Sequence, residues 1–298
     1  MDVEEIAQVR RFNRIVTQRV GALDDRYLAR DRPLGEARLL WEIGPDGCDV
    51  RVLRSRLGLD AGYLSRLLRS LEAAGLVTVR VGAPDKRVRT ARLTSAGVDE
   101  RAVLDRRSDE LAESLLTSLD DGWRRQLVES MTTVARLLTA AAVEVDSVTP
   151  GSAPARHCLR EYVAELDRRF ATGFDPATGT VPDAGELQPP TGELIVASLW
   201  GEPIGCGGLL FHDDEVADIK RMWVDPSARG LGLGRRLLAE LEDRAAASGR
   251  GVVRLETNGG LAEAIALYRS AGYDQVEPFN DEPYADFWFA KRLPADPS

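Results

Sequence analysis

At 298 residues, with 29% charged and 44% hydrophobic side chains and a formal charge of −9, the chain suits two domains rather than one. No apolar run approaches the ~18 residues of a spanning helix, and Asp2, Glu4 and Glu5 stand where a leader peptide is basic, so a cytoplasmic protein without membrane contact is expected. Cys48, Cys158 and Cys206 with only His157 and His212 make neither a disulfide framework nor a metal-ligand spacing, so no metal is expected.

Charge is divided unevenly along the chain. Residues 1–146 hold 24 basic and 24 acidic side chains, and residues 147–298 hold 15 and 24. Within the first half, residues 51–92 hold ten basic and three acidic side chains. A compact basic patch in a neutral surround is the footprint of a nucleic-acid binder. Ile6–Val20 has apolar residues at helical spacing. Val50–Leu57 predicts a short helix, Gly58 a break and Asp60 an N-cap. Leu64, Leu67, Leu68 and Leu71 then make one buried helical face, and Gly75 stops that helix. Tyr63, Ser65, Arg66, Arg69 and Ser70 are left opposite. Val77–Val81 and Arg87–Leu93 alternate as strands around Gly82–Lys86, and Gly97–Leu119 and Gly122–Val143 return to helical spacing. Two helices followed by a basic hairpin describe a winged helix-turn-helix in a mostly α domain, its second helix suited to the major groove.

Three segments sharpen this: Leu71-x-x-x-Gly75-Leu76-Val77, Pro84-Asp85-Lys86-Arg87, and Leu93-Thr94-Ser95-Ala96-Gly97. Over about residues 4–146 they resemble the MarR family. The resemblance implies a recognition helix presenting Tyr63, Ser65, Arg66 and Arg69 to double-stranded DNA. It also implies a wing in which Asp85 holds Arg87 for the minor groove, with Arg89 assisting. Terminal helices would form a homodimer reading a pseudo-palindromic operator, with room for a small-molecule effector. Trp41 and Phe12 either line that cleft or belong to the core. The plain alternative for the basic residues is a solvated helix and hairpin.

Asp146–Pro154 reads as a linker, placing one domain at 1–146, the linker at 147–155 and a second domain at 156–298. That domain opens on a helix, Leu159–Leu166, followed by Phe170 and Phe174-Asp175-Pro176. Asp175–Pro190 reads as a loop beside a site. Strand patterns follow at Leu194–Ala197, Ile204–Leu209 and Val216–Val224. Next comes the glycine turn Arg229-Gly230-Leu231-Gly232-Leu233-Gly234, entering a helix, Arg235–Ala246. Val252–Asn258 is a strand, Glu263–Ser270 a helix closed by Ala271-Gly272-Tyr273, and Ala285–Phe289 the last strand. Bare N–H groups and a helix dipole at the glycine turn suit a pyrophosphate. A Walker A loop is excluded because Arg235 and Arg236 follow Gly234, and a dinucleotide fingerprint fails because Arg235 stands at its third glycine. A glycine-rich surface turn is the plain alternative.

Arg-x-x-Gly-x-Gly after Val224-Asp225-Pro226, in this order of elements, resembles motif A of the GNAT acetyltransferases, and the likeness runs over about residues 156–293. It implies an α/β fold with a mixed central sheet and acetyl-CoA held by Trp223, Val224, Arg229, Gly230, Leu231, Gly232, Leu233, Gly234 and Arg235. Asn258 would meet the pantetheine arm or else cap a turn. Tyr268 matches a sulfur-facing general acid, or else a core tyrosine. Alternation puts Val216, Asp218, Lys220 and Met222 on one strand face. Asp218 could deprotonate an amine through water, Glu256 is its rival, and a salt-bridged strand carboxylate is the alternative for either. The acidic second half favours a cationic amine acceptor, with Phe279–Tyr284 as part of its wall. The composite expectation is a DNA-binding regulator fused to an acetyl-CoA-dependent N-acetyltransferase. Its rivals are a regulator whose second half senses CoA species without turnover, and an acetyltransferase that its winged domain only dimerises.

Overall fold

The computed structural model describes all residues except 1, 24–25, 82–87, 172, 177–183, 213–214 and 295–298. It divides into two compact units, Met1–Thr132 and Thr133–Ser298.

The first unit runs α1 (Val3–Arg19), α2 (Leu34–Ile43), β1 (Cys48–Asp49), α3 (Val50–Leu57), α4 (Ala61–Ala73), β2 (Val77–Val81), β3 (Arg89–Leu93), α5 (Ser95–Thr117) and α6 (Asp121–Ala141), the unit boundary falling inside α6. The strands pair antiparallel in the order β1-β3-β2. Asp60 caps α4 by accepting from the Tyr63 N–H at 2.9 Å, so the leucine stripe starts in the expected phase. Leu64, Leu67, Leu68 and Leu71 share one core with Leu39, Leu40 and Leu53. Gly97 lets α5 start against β2, because a Cβ there would lie 2.0 Å from the Leu76 carbonyl oxygen. Trp41 packs partly buried on this core and donates to Asp105 Oδ1 at 2.5 Å, joining α2 to α5. Phe12 does not belong to the core: α1 has no buried residue, and Phe12 is exposed on one face with Val9 and Val16.

The second unit carries a seven-stranded sheet with helices on both faces. Its elements are β4 (Val143–Ser147), α7 (Ala153–Arg169), β5 (Gly192–Leu199), β6 (Glu202–Phe211), β7 (Val216–Val224), α8 (Leu233–Ala247), β8 (Val252–Thr257), α9 (Ala262–Ser270), β9 (Asp274–Val276) and β10 (Phe287–Arg292). The order is β4-β5-β6-β7-β8-β10-β9, and only β7 and β8 are parallel, so the sheet is mixed. Alternation on β5 sends Ile195 and Ala197 into the core with α8, while Val196 packs with Cys158 of α7. Leu237, Leu238 and Leu241 of α8 are fully buried, and truncating any one of them costs about 2–5 kcal/mol. Two boundaries differ from expectation. The expected linker meets regular structure at both ends, since Ser147 closes β4 and Ala153 opens α7. Helical spacing is expected as far as Val143, yet Val143–Ser147 forms an edge strand beside β5 with Val143 buried. The last strand is Phe287–Arg292, displaced toward the C-terminus from Ala285–Phe289.

Candidate functional site

The site begins where β7 and β8 part. They pair only through Val216–Asp218 with Val252–Arg254. Beyond that register β7 and β8 do not pair among the described residues, and a strand edge that leaves its neighbour turns to other hydrogen bonds. On its other side β7 pairs β6, with a bulge that sets two residues, Arg221 and Met222, opposite Gly207. Arg221 takes φ 55°, in the left-handed region. The extra residue shifts the strand's phase. Met222 and Val224 therefore pack with Ala217 and Ile219, and Trp223 joins the opposite cluster. The expected face of Val216, Asp218, Lys220 and Met222 thus breaks at Met222. Gly207 makes room for this, since a Cβ there would sit 2.7 Å from Leu241 Cδ1.

The glycine turn leads from β7 into α8. Gly230 and Gly232 take φ 82° and 78°, and Gly232 is the α8 N-cap with no side chain bonded to the first turn. A Cβ on either glycine would meet nothing within 4 Å, so it is the backbone conformation, not space, that requires them. The helix start faces a groove of about 500 Å³ that reaches from Gly230, Gly232, Gly234 and Arg235 past Trp223 and Val224 to Tyr268. Leu231 and Leu233 pack on the core, leaving the backbone to face the groove. The side chains of the flanking arginines are engaged elsewhere. Arg235 donates to Ser270 Oγ at 2.7 Å. Arg229 donates to both oxygens of Glu165 at 2.6 Å, and the Trp223 indole N–H donates to the same carboxylate at 3.0 Å. Glu165 is a residue that sequence reasoning missed; its partners lie 58 and 64 positions away, beyond any local pattern.

Behind Tyr268 the groove continues into a chamber of about 110 Å³ in the gap between β7 and β8. Tyr162, Leu166, Met222, Leu261, Ala264 and Tyr268 line both spaces, so Tyr268 stands at their junction. Burial raises the Tyr268 phenol above its ordinary pKa, and the nearby Glu256 charge adds to that. Burial raises Tyr162 too, against an opposing pull from Arg221. Glu256 lies on the chamber wall, accepts from Lys220 Nζ, and receives Asn280 Nδ2 at 3.3 Å. Phe170, Phe174, Glu282 and Tyr284 complete the outer wall. The Asn258 side chain closes a turn by accepting from the Gly260 N–H at 2.9 Å and donating to the Tyr284 carbonyl at 2.8 Å.

Asp218 lies elsewhere. It is 2% exposed and borders a separate recess with His212, Arg254 and Phe279. Arg254 Nε donates to it at 2.9 Å, and His212 Nε2 is 2.7 Å from its other oxygen. Asp218 is thus ion-paired in a recess that Tyr268 does not line, whereas Glu256 lines one chamber with Tyr268.

In the first unit, α4 presents Tyr63, Arg66 and Arg69 as exposed residues with Ser65 half-buried. The Arg66 guanidinium lies 5.6 Å from the Tyr63 ring centroid, and Arg69 Nε donates to the Ser65 carbonyl at 3.2 Å. Ser70 is turned away to Glu36, at 2.7 Å. Arg89 is exposed on β3. Asp85 and Arg87 lie outside the described residues.

The model of the acetyltransferase (GNAT) family matches residues 159–273, and that of the MarR family residues 31–88. Two curated proteins resemble the second half. An IAA acetyltransferase of Azospirillum brasilense is 35% identical over 132 residues, 44% of this chain and 85% of that one. The N-alpha-acetyltransferase RimI of Mycobacterium tuberculosis is 32% identical over 164 residues, 52% and 98% of the two chains. Among solved structures, an acetyltransferase of the GNAT family from Staphylococcus aureus aligns with 18% identity and a TM-score of 0.45, over 51% of this chain and 100% of that one. No helix among the described residues is long and apolar enough to cross a membrane.

Proposed function

Because the chain belongs to the GNAT acetyltransferase family, with a MarR-family segment ahead of that domain, we propose that it acetylates an amine from acetyl-CoA and docks on operator DNA as a homodimer. The uncapped first turn of α8, with open space at Gly230 and Gly232, fits the diphosphate of coenzyme A. Gly230, Gly232 and Gly234 would hold it through the backbone around the turn, Leu231 and Leu233 anchoring that backbone to the core. Arg229 and Glu165 brace the strand end beneath. When bound, acetyl-CoA supplies the activated acyl group.

The chain's own groups supply the rest. The β7 edge that β8 leaves, near Met222–Val224, offers N–H groups to a carbonyl oxygen that gains charge. Glu256 takes a proton from the entering ammonium through water, and Tyr268 holds a proton for the departing sulfur. A phenol whose pKa burial raises stays loaded at neutral pH. One observation carries this reading: Tyr268 lines both the groove and the chamber, where a thioester and an amine have to meet. Thiol release from acetyl-CoA with a panel of amines tests it. Release that depends on the amine supports transfer; tight acetyl-CoA binding with no release from any amine supports a sensor instead.

For the N-terminal unit, the exposed face of α4 supports major-groove contact by Tyr63, Ser65, Arg66 and Arg69. The exposed apolar face of α1, Val9, Phe12 and Val16, supports a surface covered by a second copy. A gel shift with the protein's own upstream DNA tests the first, and sedimentation the second.

A further inference from the structure

A line of aromatic rings runs along the chamber from its junction with the groove. Tyr162, which borders both spaces, meets Phe174 edge-on with centroids 6.4 Å apart. Phe170, Phe174 and Tyr284 then pack on one another with centroids 4.9–5.8 Å apart, yet each stays half-buried. Partly covered rings on one wall offer apolar surface to a bulky group entering beside them.

Polar contacts hold this wall in place. The Phe174 N–H donates to Asp167 Oδ1 at 3.1 Å, and the Asp175 N–H donates to the Tyr284 hydroxyl at 3.0 Å. Asn258 Nδ2 donates to the Tyr284 carbonyl at 2.8 Å. Phe170 and Phe174 follow α7, whereas Tyr284 precedes β10, so these bonds tie two distant segments into one surface. Rings fixed in this way meet a ligand without first having to be ordered. Glu256 shares the chamber with them. It accepts from Lys220 Nζ and from Asn280 Nδ2, and a carboxylate has about four acceptor positions, so two donors do not saturate it.

We infer that the acceptor is a small primary amine whose body is one bulky apolar or aromatic group: its ammonium lies at Glu256, and its body lies on the wall formed by Tyr162, Phe170, Phe174 and Tyr284. This rests on the acetyltransferase reading and names the substrate class of that same site. The amine nitrogen bonds to the acetyl carbon as the carbon–sulfur bond breaks. Of the two protons the ammonium loses, one ends on the thiol and the other leaves through Glu256 to solvent.

The test uses the full chain, acetyl-CoA and three amines that differ in what the primary amine carries: phenethylamine, ethanolamine and spermidine. Wild type is expected to favour phenethylamine over ethanolamine in kcat/KM by about tenfold to a hundredfold, the range for burying one such group. Spermidine, which places further charge where the rings stand, is expected to be used no better than ethanolamine. Phe174→Ala is expected to narrow the ratio of phenethylamine to ethanolamine by about threefold to tenfold, and Phe174→Leu, which keeps an apolar side chain, to narrow it less. The wild-type comparison needs no variant at all. Equal use of the three amines by wild type, or a preference for ethanolamine or spermidine, overturns this inference and leaves the acetyltransferase reading intact. Thiol release that depends on no amine, from these three or a wider panel, overturns both.

Discussion

Lys220 donates to Glu256 while its ammonium stands 3.9 Å from Asp218, so two carboxylates share one cation yet face different recesses. This separates their expected phenotypes. Glu256→Gln lowers kcat about 10²–10³-fold with acetyl-CoA affinity kept. Asp218→Asn leaves Arg254 without its ion pair and costs about 2 kcal/mol of stability, with a much smaller loss of kcat. Steady-state rates and thermal melts of the two variants decide the matter. If Asp218→Asn abolished turnover and Glu256→Gln did not, the base would have to be reassigned.

Tyr268 makes a prediction with a definite sign. An acid works while it holds its proton, so a phenol raised by burial extends the working range upward. The kcat profile therefore shows no fall belonging to this group up to about pH 10, the ordinary value for tyrosine. Tyr268→Phe lowers kcat about 10²-fold or more at every pH. A basic limb near pH 8 that vanished in Tyr268→Phe would contradict the account.

In the first unit Glu100 accepts from Arg30 and Arg32 at 3.0 and 3.1 Å, and these partners, Arg30 foremost, hold its carboxyl below the ordinary range. A depressed carboxylate stabilises the fold above its unfolded pKa of about 4.5, and that contribution is lost as pH falls through the folded value. Hydrogen-exchange protection factors in α5, taken relative to the intrinsic rate at each pH, are expected to fall below pH 4.5 in wild type. Glu100→Gln should show faster exchange already at pH 7, worth about 2–3 kcal/mol. An unchanged α5 in that variant would mean that the pair does not hold the helix.

What the residue pattern revealed, and what it hid, follows from the range of the forces. The α4 stripe and its Asp60 cap are local, and so is the glycine turn; both are legible because spacing alone sets them. Helix α2 escaped notice because its N-cap, Pro33, supplies no capping side chain. Strand β4 escaped because Val143-Glu144-Val145 is too short to outweigh the helix before it, although its alternation was the available signal. Asp218 and Glu256 stand as rival bases in the residue pattern because both lie on strands beside the glycine turn, and which recess a strand carboxylate faces depends on partners far along the chain. Met222 is placed on the Asp218 face by a period of two that one extra residue at the Arg221 bulge cancels, and no composition announces a bulge opposite Gly207. The Phe279–Tyr284 wall was legible only in part: Glu282 and Tyr284 reach the chamber, whereas Phe279 stacks under Arg254, 4.2 Å from its guanidinium carbon.

For DNA, Arg66→Ala and Arg69→Ala should each weaken binding to the protein's own upstream sequence. A residue that contacts phosphate lowers the slope of log affinity against log salt by about one, whereas one that reads a base costs about 1–3 kcal/mol and relaxes specificity. Titrations at several salt concentrations separate the two. Variants that bound as wild type does would remove α4 from the interface.

The central claim is that backbone N–H groups at the start of α8 hold the diphosphate of acetyl-CoA. Calorimetric titration of acetyl-CoA into the full chain and into Gly232→Val measures it directly. The account predicts one site per chain in wild type, and at least about a tenfold loss in the variant, whose β-branched side chain cannot adopt φ 78° without strain, while circular dichroism stays unchanged. No heat with wild type, or equal affinity in the two proteins, would contradict it.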